Sequence, residues 1–310
     1  MITPIPRRNF LKTTATGMAA ATLPLFETAC AKKEAFKNHS ILVDTHLHCF
    51  AGPDDPRFPY HPRGPYQPEV AATPQHLLKC MDDGGIRNAI VVHPEPYQDD
   101  HSYLEHCLEV GEGRLKGTGL FFADRPGSLE KVPGIAKRVS LIALRVHAYA
   151  PDRLPPFGKP ELRKLWETAA DNGLAVQIHM EPRYAPGFEA LIKEFSDTRV
   201  IIDHLGRPFQ GTPEEHETVV RWSQIPNTII KMAAIPAQDK FPHRDIRPVI
   251  KRLVAEYGAE RMIYGGGFNA DATGQSYREA FETGRSYINH LSADQQALVL
   301  GGNAIRLFGF

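Results

Sequence analysis

The sequence of 310 residues predicts an α/β fold, a single (β/α)8 TIM barrel. Two observations predict it: apolar strand-like runs alternate with helix-like segments from about residue 40 onward, and several of these runs end in polar side chains. Strict alternation of strands and helices favours a parallel sheet, and a barrel gathers its chemistry where the strands end. One barrel suits the length, because such barrels occupy about 250 residues as one unit.

The composition is that of a globular protein with a large core. Hydrophobic residues make up 42% of the chain and charged residues 23%, which excludes a disordered class. The 36 basic and 36 acidic residues give a formal net charge of zero, so no overall field attracts nucleic acid. We therefore expect a small-molecule substrate as the partner and no nucleic acid, and a homo-oligomer is left open.

Residues 1–31 predict a twin-arginine signal peptide. Arg7 and Arg8 precede a small, apolar run over residues 13–25, and alanines flank Cys30 where cleavage is expected. The run is too short for a transmembrane helix, which needs about 20 apolar residues. Export to the periplasm is expected, without stable membrane insertion after the signal is removed. Lipidation of Cys30 is the disfavoured alternative, because Glu27 stands where such signals usually carry leucine.

The run 41–48 predicts the first strand of a barrel domain that spans residues 40–310. Asp44, His46 and His48 alternate along it, so they share one face of an extended strand. Two imidazoles on one face are half of a metal site, although a lone His-x-His pair is also typical of structural histidines. The segment 49–72 follows, with prolines at three-residue intervals. It predicts either a loop over the mouth of the site or a surface ornament.

The remaining units follow in order. Thr73 and Pro74 have the form of an N-cap and a first helical residue, and Gly84 and Gly85 end that helix. The further strands are predicted at residues 88–93, 117–123, 141–147, 174–179, 199–204, 228–232 and 262–266. The helices between and after them are predicted at residues 100–111, 128–138, 160–171, 187–195, 213–222, 244–257 and 275–290.

Four sequence segments resemble a known family. They are Asp44-Thr-His-Leu-His48 on the first strand, His179 on the fifth, Asp203-His-Leu-Gly-Arg-Pro208 on the sixth, and the closing Gly-Gly-Asn-Ala-Ile-Arg-Leu-Phe of residues 301–308. Together they resemble the amidohydrolase-related TIM-barrel hydrolases, in the branch that includes sugar lactonases and the pyrone dicarboxylate lactonase. The resemblance extends over roughly residues 40–310, the span expected for the eight units.

The resemblance implies a metal-assisted hydrolysis. His46, His48 and His179 would bind one divalent metal, and three imidazoles with one open position suit zinc. Water activated at such a site would attack a carbonyl carbon. His204 would lie near that carbonyl and stabilise the developing oxyanion, while Asp203 would orient its neighbours. The metal is optional in this interpretation, because the chain departs from its relatives at one position.

That departure follows the eighth strand. Relatives carry an aspartate there as a fourth ligand and proton acceptor, whereas this chain has Gly267. Asp271 and Glu181 are the two candidates for a replacement catalytic carboxylate, and the sequence does not choose between them. If neither replaces it, the site is degenerate and the chain is a non-catalytic binding protein.

The substrate contacts follow from the strand ends. Arg145 and His147 alternate on the fourth strand, and the resemblance implies that Arg145 holds a substrate carboxylate through its guanidinium fork. A buried ion pair is the alternative for Arg145. His93 and Arg207 are further candidates for substrate binding. The sequence thus predicts an exported hydrolase that opens a lactone or a similar cyclic ester, with a decarboxylase on the same barrel or a binding protein as alternatives.

Overall fold

The computed structural model describes residues 41–149, 151–233 and 245–310. The predicted signal peptide, residues 1–31, and the predicted helix start at residue 244 lie outside these ranges. Eight strands form one parallel sheet in chain order. Their bounds are β1 Val43–Leu47, β2 Asn88–Val92, β3 Leu115–Leu120, β4 Leu141–Ala148, β5 Ala175–Met180, β6 Val200–Ile202, β7 Thr228–Ala233 and β8 Met262–Gly265.

The last strand returns to the first. The Thr45 hydroxyl of β1 donates a hydrogen bond to the Tyr264 carbonyl of β8 at 2.8 Å. The Asp44 carboxylate accepts from the Gly266 N–H at 2.8 Å and from the Tyr277 hydroxyl at 2.7 Å. These contacts bring the two edges of the sheet together, which confirms the predicted (β/α)8 barrel. They also show that Asp44 joins strand edges, whereas the two histidines of the same strand face the barrel mouth.

Helices follow the strands on the outside of the barrel. Thr73 caps the first through a 3.2 Å bond from the His76 N–H, and Gly85 ends it at φ 71°, as the sequence predicts. Among the described residues, no helix is long and apolar enough to cross a membrane. The helices are α1 Pro74–Gly84, α2 Ser102–Val110, α3 Val132–Arg138, α4 Pro160–Asp171, α5 Glu189–Glu194, α6 Pro213–Arg221, α7 Arg247–Tyr257, α8 Gly274–Tyr287, α9 Ala293–Ala297 and α10 Asn303–Phe308.

The third unit differs from its predicted boundaries. The β3 strand ends at Leu120, and the Phe122 N–H then donates to the Ser128 hydroxyl at 3.0 Å, which draws the chain out of the sheet. The helix predicted over residues 128–138 is divided into a short 3-10 turn and α3. Pro133 stands at the start of α3, where its missing N–H costs no hydrogen bond.

Side chains that point into the barrel form layers. The lowest layer is apolar and takes one residue from each of five strands: Ala143, Ala175, Ile201, Ile229 and Ile263. Two residues further along the chain, four of these positions become polar and buried: Arg145, Gln177, Asp203 and Lys231. Because side chains alternate with a period of two along a strand, these residues form a charged layer above the apolar one, directly below the mouth of the barrel.

Candidate active site

Histidines from four segments meet at the carboxyl ends of the strands. The ring centroid of His46 lies 5.2 Å from that of His48 and 4.6 Å from that of His204. His179 continues the chain of contacts, at 4.9 Å from His204 and 5.0 Å from His147. All five rings line one cavity of about 600 Å³. The structure thus brings together the four histidines on which the predicted chemistry depends, and adds His147.

Two of these rings are oriented by backbone carbonyls. His48 Nδ1 lies 2.6 Å from the Val92 oxygen, and His204 Nδ1 lies 3.1 Å from the Ala233 oxygen. Because a carbonyl only accepts, each neutral ring holds its proton on Nδ1 and keeps a lone pair on Nε2. Burial lowers the pKa of His48 to about 3 and that of His204 to about 4. These rings are therefore neutral at pH 7 and suited to bind a metal ion.

A left-handed turn places both Asp203 and His204 at the site. His204, Leu205 and Arg207 have φ values of 55°, 59° and 52°, a conformation that costs a non-glycine residue about 1–3 kcal/mol. In a regular strand the two neighbours would face opposite sides of the sheet. Asp203 continues the inward-facing positions of β6 two residues after Ile201, and the turn that begins after Ile202 directs His204 to the barrel interior as well. Asp203 is therefore part of the site itself.

Asp203 lies at the centre of the charged layer. Its Oδ2 accepts from Arg145 Nε at 3.0 Å and from Gln177 Nε2 at 2.9 Å. Its Oδ1 lies 3.4 Å from Lys231 Nζ and 3.6 Å from His46 Nδ1. Burial alone would raise the pKa of this carboxyl, but Lys231, Arg145 and His46 hold it well below its usual range. Arg145 thus makes the ion pair that was the alternative to a substrate contact.

His46, Asp203 and His204 form a candidate metal site. Each offers one ligand atom, and these atoms lie within 4.8 Å of one another. His46 Nδ1 and Asp203 Oδ1 are buried and have no hydrogen-bond partner within the described ranges. Imidazole nitrogens with a carboxylate oxygen are donors that zinc accepts, so these residues fit a divalent metal. Of the three predicted ligands, His46, His48 and His179, only His46 belongs to this group. His48 and His179 lie beside it.

Neither Asp271 nor Glu181, the two predicted catalytic carboxylates, lines the cavity. Asp271 is exposed, and its N–H donates to the Asn269 side chain. The Glu181 carboxylate is paired with Arg183 at 2.6 Å. Gly267 does line the cavity, at φ 115°, and a Cβ there would lie only 2.5 Å from the Ala280 Cβ. The backbone as folded therefore leaves no room for a side chain at this position.

The other predicted substrate contacts divide into two groups. His147 lines the cavity, whereas His93 is fully buried and bonded through Nε2 to the Gln98 carbonyl at 2.8 Å. Arg207 lies over the Tyr149 ring at 5.3 Å. Its Nη1 is buried without a hydrogen-bond partner in the described part of the chain. Arg207 thus approaches the cluster only through Tyr149, whose ring lies 4.8 Å from that of His179, and it does not line the cavity. His93 is part of the packing behind the cluster.

Glu95 is a functional candidate that the sequence interpretation missed. Its carboxylate lies 3.1 Å from His147 Nδ1 and 3.0 Å from Arg153 Nη1, and it accepts from the Tyr149 hydroxyl at 2.5 Å. Burial opposes ionisation, but these three groups lower the pKa of Glu95 to about 2. The signal was available, because Glu95 stands three residues after β2, at the same barrel end as the histidines.

The proline-rich segment 49–72 covers the mouth, which confirms one of its two predicted roles. A pair of hydrogen bonds of 2.9 Å between Phe50 and Ala72 closes the base of the loop. Tyr66, Glu69 and Val70 from its second half line the cavity. Tyr66 is 47% exposed and Val70 is 60% exposed, so the loop offers apolar surface to a molecule that enters.

Comparisons with known proteins agree with this architecture. A family model described as amidohydrolase matches residues 43–310. An L-fucono-1,5-lactonase from Burkholderia ambifaria is 22% identical over 254 residues, which cover 76% of this chain and 84% of the relative. A probable 2-pyrone-4,6-dicarboxylic acid hydrolase from Acinetobacter baumannii, solved with citric acid bound, superposes with a TM-score of 0.71 at 19% identity, covering 87% of this chain and 99% of that one. An amidohydrolase from Burkholderia multivorans with bound zinc superposes with a TM-score of 0.67 at 16% identity, covering 87% and 99%.

Proposed function

Because the chain belongs to the amidohydrolase family, we propose that it hydrolyses a lactone or a similar cyclic ester. The proposal rests on one observation. Five imidazole rings, with 4.6–5.2 Å between the centroids of neighbouring rings, line a single cavity of about 600 Å³ at the carboxyl ends of the strands. That volume suits one small molecule. The lactonase among the relatives supports the choice of a cyclic ester.

The reaction requires a bound carbonyl, an attacking water and a proton acceptor. His204 is half-buried next to His46 and His179, so a lactone carbonyl in the cavity would lie against its ring. We assign His204 to the carbonyl oxygen as a ligand of the metal described below, because its proton lies on Nδ1 and its Nε2 lone pair cannot itself donate to a negatively charged oxygen.

A divalent metal, with zinc as the expected ion, would be held by His46, Asp203 and His204. When bound, it would act as a Lewis acid that polarises the carbonyl and makes water more acidic. The structurally similar protein solved with bound zinc supports this choice of ion. Arg145 and Gln177 would fix the Asp203 carboxylate in place through their bonds to its Oδ2.

A carboxylated substrate is the form that the charges favour. Arg145 lines the cavity, but its guanidinium is paired with Asp203; Arg207 lies outside the lining and is the second candidate for a substrate carboxylate, through its unpartnered Nη1. A guanidinium held over an aromatic ring, as Arg207 is over Tyr149, is oriented for such a contact. The similar pyrone dicarboxylic acid hydrolase, with its citric acid, is consistent with an anionic ligand.

We further propose that the enzyme is exported by its twin-arginine signal, residues 1–31. Cell fractionation of the full-length chain tests this. Wild-type protein is expected in the periplasmic fraction, and a variant with Arg7→Lys and Arg8→Lys is expected to remain in the cytoplasm. Equal distribution of the two proteins would overturn the export proposal without affecting the hydrolase.

The hydrolase proposal is tested with a lactone panel. Purified protein is assayed by proton release against sugar lactones and carboxylated lactones, after treatment with a chelator and again with added zinc. We expect turnover of at least one lactone, and a loss of about 100-fold or more in kcat/KM for His204→Asn. The matched control is His290→Asn, because His290 is exposed and is not among the residues that line the cavity.

Each alternative has its own outcome. No turnover of any lactone, with or without zinc, together with tight binding of a carboxylated lactone, would favour the binding protein. Release of CO₂ from a carboxylated ring without ring opening would favour the decarboxylase. Turnover that resists the chelator and is not increased by zinc would support a lactonase that needs no metal.

A further inference from the structure

We propose that His147 is the proton acceptor of this site and that Glu95 positions it. The inference rests on the proposed function, because it supplies the base that lactone hydrolysis requires. It assigns to two side chains the role that Gly267 cannot perform.

The geometry of His147 is that of an oriented imidazole. Its Nδ1 lies 3.1 Å from Glu95 Oε1, so the Nδ1–H of the neutral ring donates a hydrogen bond to the carboxylate. Nε2, on the other side of the ring, is buried and has no hydrogen-bond partner in the described part of the chain. Unpartnered buried polar atoms are rare in folded proteins and call for an explanation. Since His147 lines the cavity, a water molecule or a substrate group would be the missing partner.

Glu95 is held in a way that suits positioning. It accepts from the Tyr149 hydroxyl at 2.5 Å and pairs with Arg153 at 3.0 Å, in addition to its contact with His147. These bonds fix the carboxylate and keep it ionised, so Glu95 is itself a poor base. A fixed anion behind an imidazole selects the tautomer and stabilises the ring once it is protonated.

The other candidate bases are less suited. Asp203 is engaged by Arg145 and Gln177 and does not line the cavity. Lys231 is only 1% exposed and is also absent from the cavity lining. In His46 and His179, the structure describes no hydrogen-bond partner for Nδ1 and no carboxylate bonded to Nε2 of either ring. His147 alone among the cavity residues combines a free ring nitrogen with a bonded carboxylate.

The proton transfers balance as follows. Water attacks the lactone carbonyl carbon, a C–O bond forms, and the proton of the water passes to His147 Nε2. The imidazolium then faces the Glu95 carboxylate. Collapse of the tetrahedral intermediate breaks the ring C–O bond, and His147 Nε2 returns its proton to the departing ring oxygen. The products are one hydroxy acid and the original neutral imidazole.

The test compares His147→Ala and Glu95→Gln with the wild type on a lactone that the wild type hydrolyses. We expect kcat to fall by about 100-fold or more in His147→Ala, with KM changed less than threefold. Added imidazole is expected to restore part of the lost kcat in His147→Ala, which a merely structural defect would not allow. Glu95→Gln is expected to lower kcat, and the double variant is expected to be no slower than His147→Ala, because the two residues act as a unit.

The matched control is Glu256→Gln, an exposed carboxylate on α7 that does not line the cavity, and it is expected to keep kcat within threefold. Thermal unfolding of each variant verifies that it is folded. If the wild type hydrolyses lactones and folded His147→Ala keeps kcat within threefold, or if imidazole restores nothing, the assignment of the base is wrong while the lactonase stands. If the wild type hydrolyses no lactone, the proposed function fails, and this inference fails with it.

Discussion

Arg145 and Asp203 form an ion pair in the barrel interior, with Arg145 Nη2 2.9 Å from Asp203 Oδ2 and side-chain exposures of 3% and 0%. The pair joins β4 to the turn after β6, directly below the histidine cluster. Lys231 approaches the other oxygen of Asp203, so one carboxylate serves two cations. The position of the turn that carries Asp203 and His204 thus depends on a buried charge network.

Asp203→Asn is expected to destabilise the protein by about 3–5 kcal/mol, because it leaves Arg145 and Lys231 buried without a counter-charge. Urea unfolding at pH 7.5 measures the effect. The control is Asp271→Asn, an exposed aspartate that should change the free energy of unfolding by less than about 0.5 kcal/mol. If the two variants are equally stable, the network contributes nothing to the fold.

Stability is expected to fall as the pH drops below about 6.5. Burial holds the pKa of His48 at about 3 and those of His147 and His204 at about 4. The unfolded chain, with histidine pKa values near 6.5, therefore binds more protons between these limits, and acidification favours unfolding. Each such histidine contributes up to about 1.4 kcal/mol per pH unit. Urea unfolding of chelator-treated protein at pH 7.5, 6.5 and 5.5 measures the slope.

One carboxyl acts in the opposite direction. Burial raises the pKa of Asp44 to about 6, so the stability that its protonation contributes is lost as the pH rises through that value. A single group does not offset several histidines, and the net loss on acidification should remain. His147→Gln is expected to flatten the slope by about one histidine's share. A free energy of unfolding that stays constant from pH 7.5 to 5.5 would contradict the prediction.

The fold was predictable because it depends on short-range patterns. Strands, helices and caps such as Thr73 and Gly85 follow from periodicity and from turn residues, and the structure places most of them where the sequence indicates, with different boundaries in the third unit. The convergence of His46, His179 and His204 was also predictable, since the carboxyl ends of all strands in a barrel meet at one mouth.

The partners of each side chain were harder to predict. A strand period assigns Asp203 and His204 to opposite faces, and only a left-handed turn, unusual for non-glycine residues, brings both to the site. Lys231 lies within an apolar strand, and its pairing with Asp203 depends on the register between β6 and β7. The contact between Glu95 and His147 joins residues 52 positions apart. These are long-range relationships that one sequence does not encode locally.

Lys231→Met is expected to strengthen zinc binding by about tenfold or more. Lys231 Nζ lies 3.4 Å from Asp203 Oδ1, one of the candidate ligand atoms, and an ammonium so close repels a dication. Titration of metal-free protein against a chromophoric chelator measures the dissociation constant. The control is Lys79→Met, because Lys79 is 73% exposed and paired with Asp83 on the surface. Unchanged or weaker binding in Lys231→Met would show that the lysine does not compete with the metal.

Introducing a side chain at position 267 is expected to lower the free energy of unfolding. Gly267 has φ 115°, and a Cβ there would approach the Ala280 Cβ to 2.5 Å. Gly113 has φ 86°, yet a Cβ there would meet nothing within 4 Å. Gly113→Ala should therefore cost only the left-handed conformation, about 1–2 kcal/mol, and Gly267→Ala should cost about 1–3 kcal/mol more from overpacking. Urea unfolding compares the two. If Gly267→Asp is as stable as wild type and more active, the clash is relieved by movement of α8, and the site does not depend on His147 as its base.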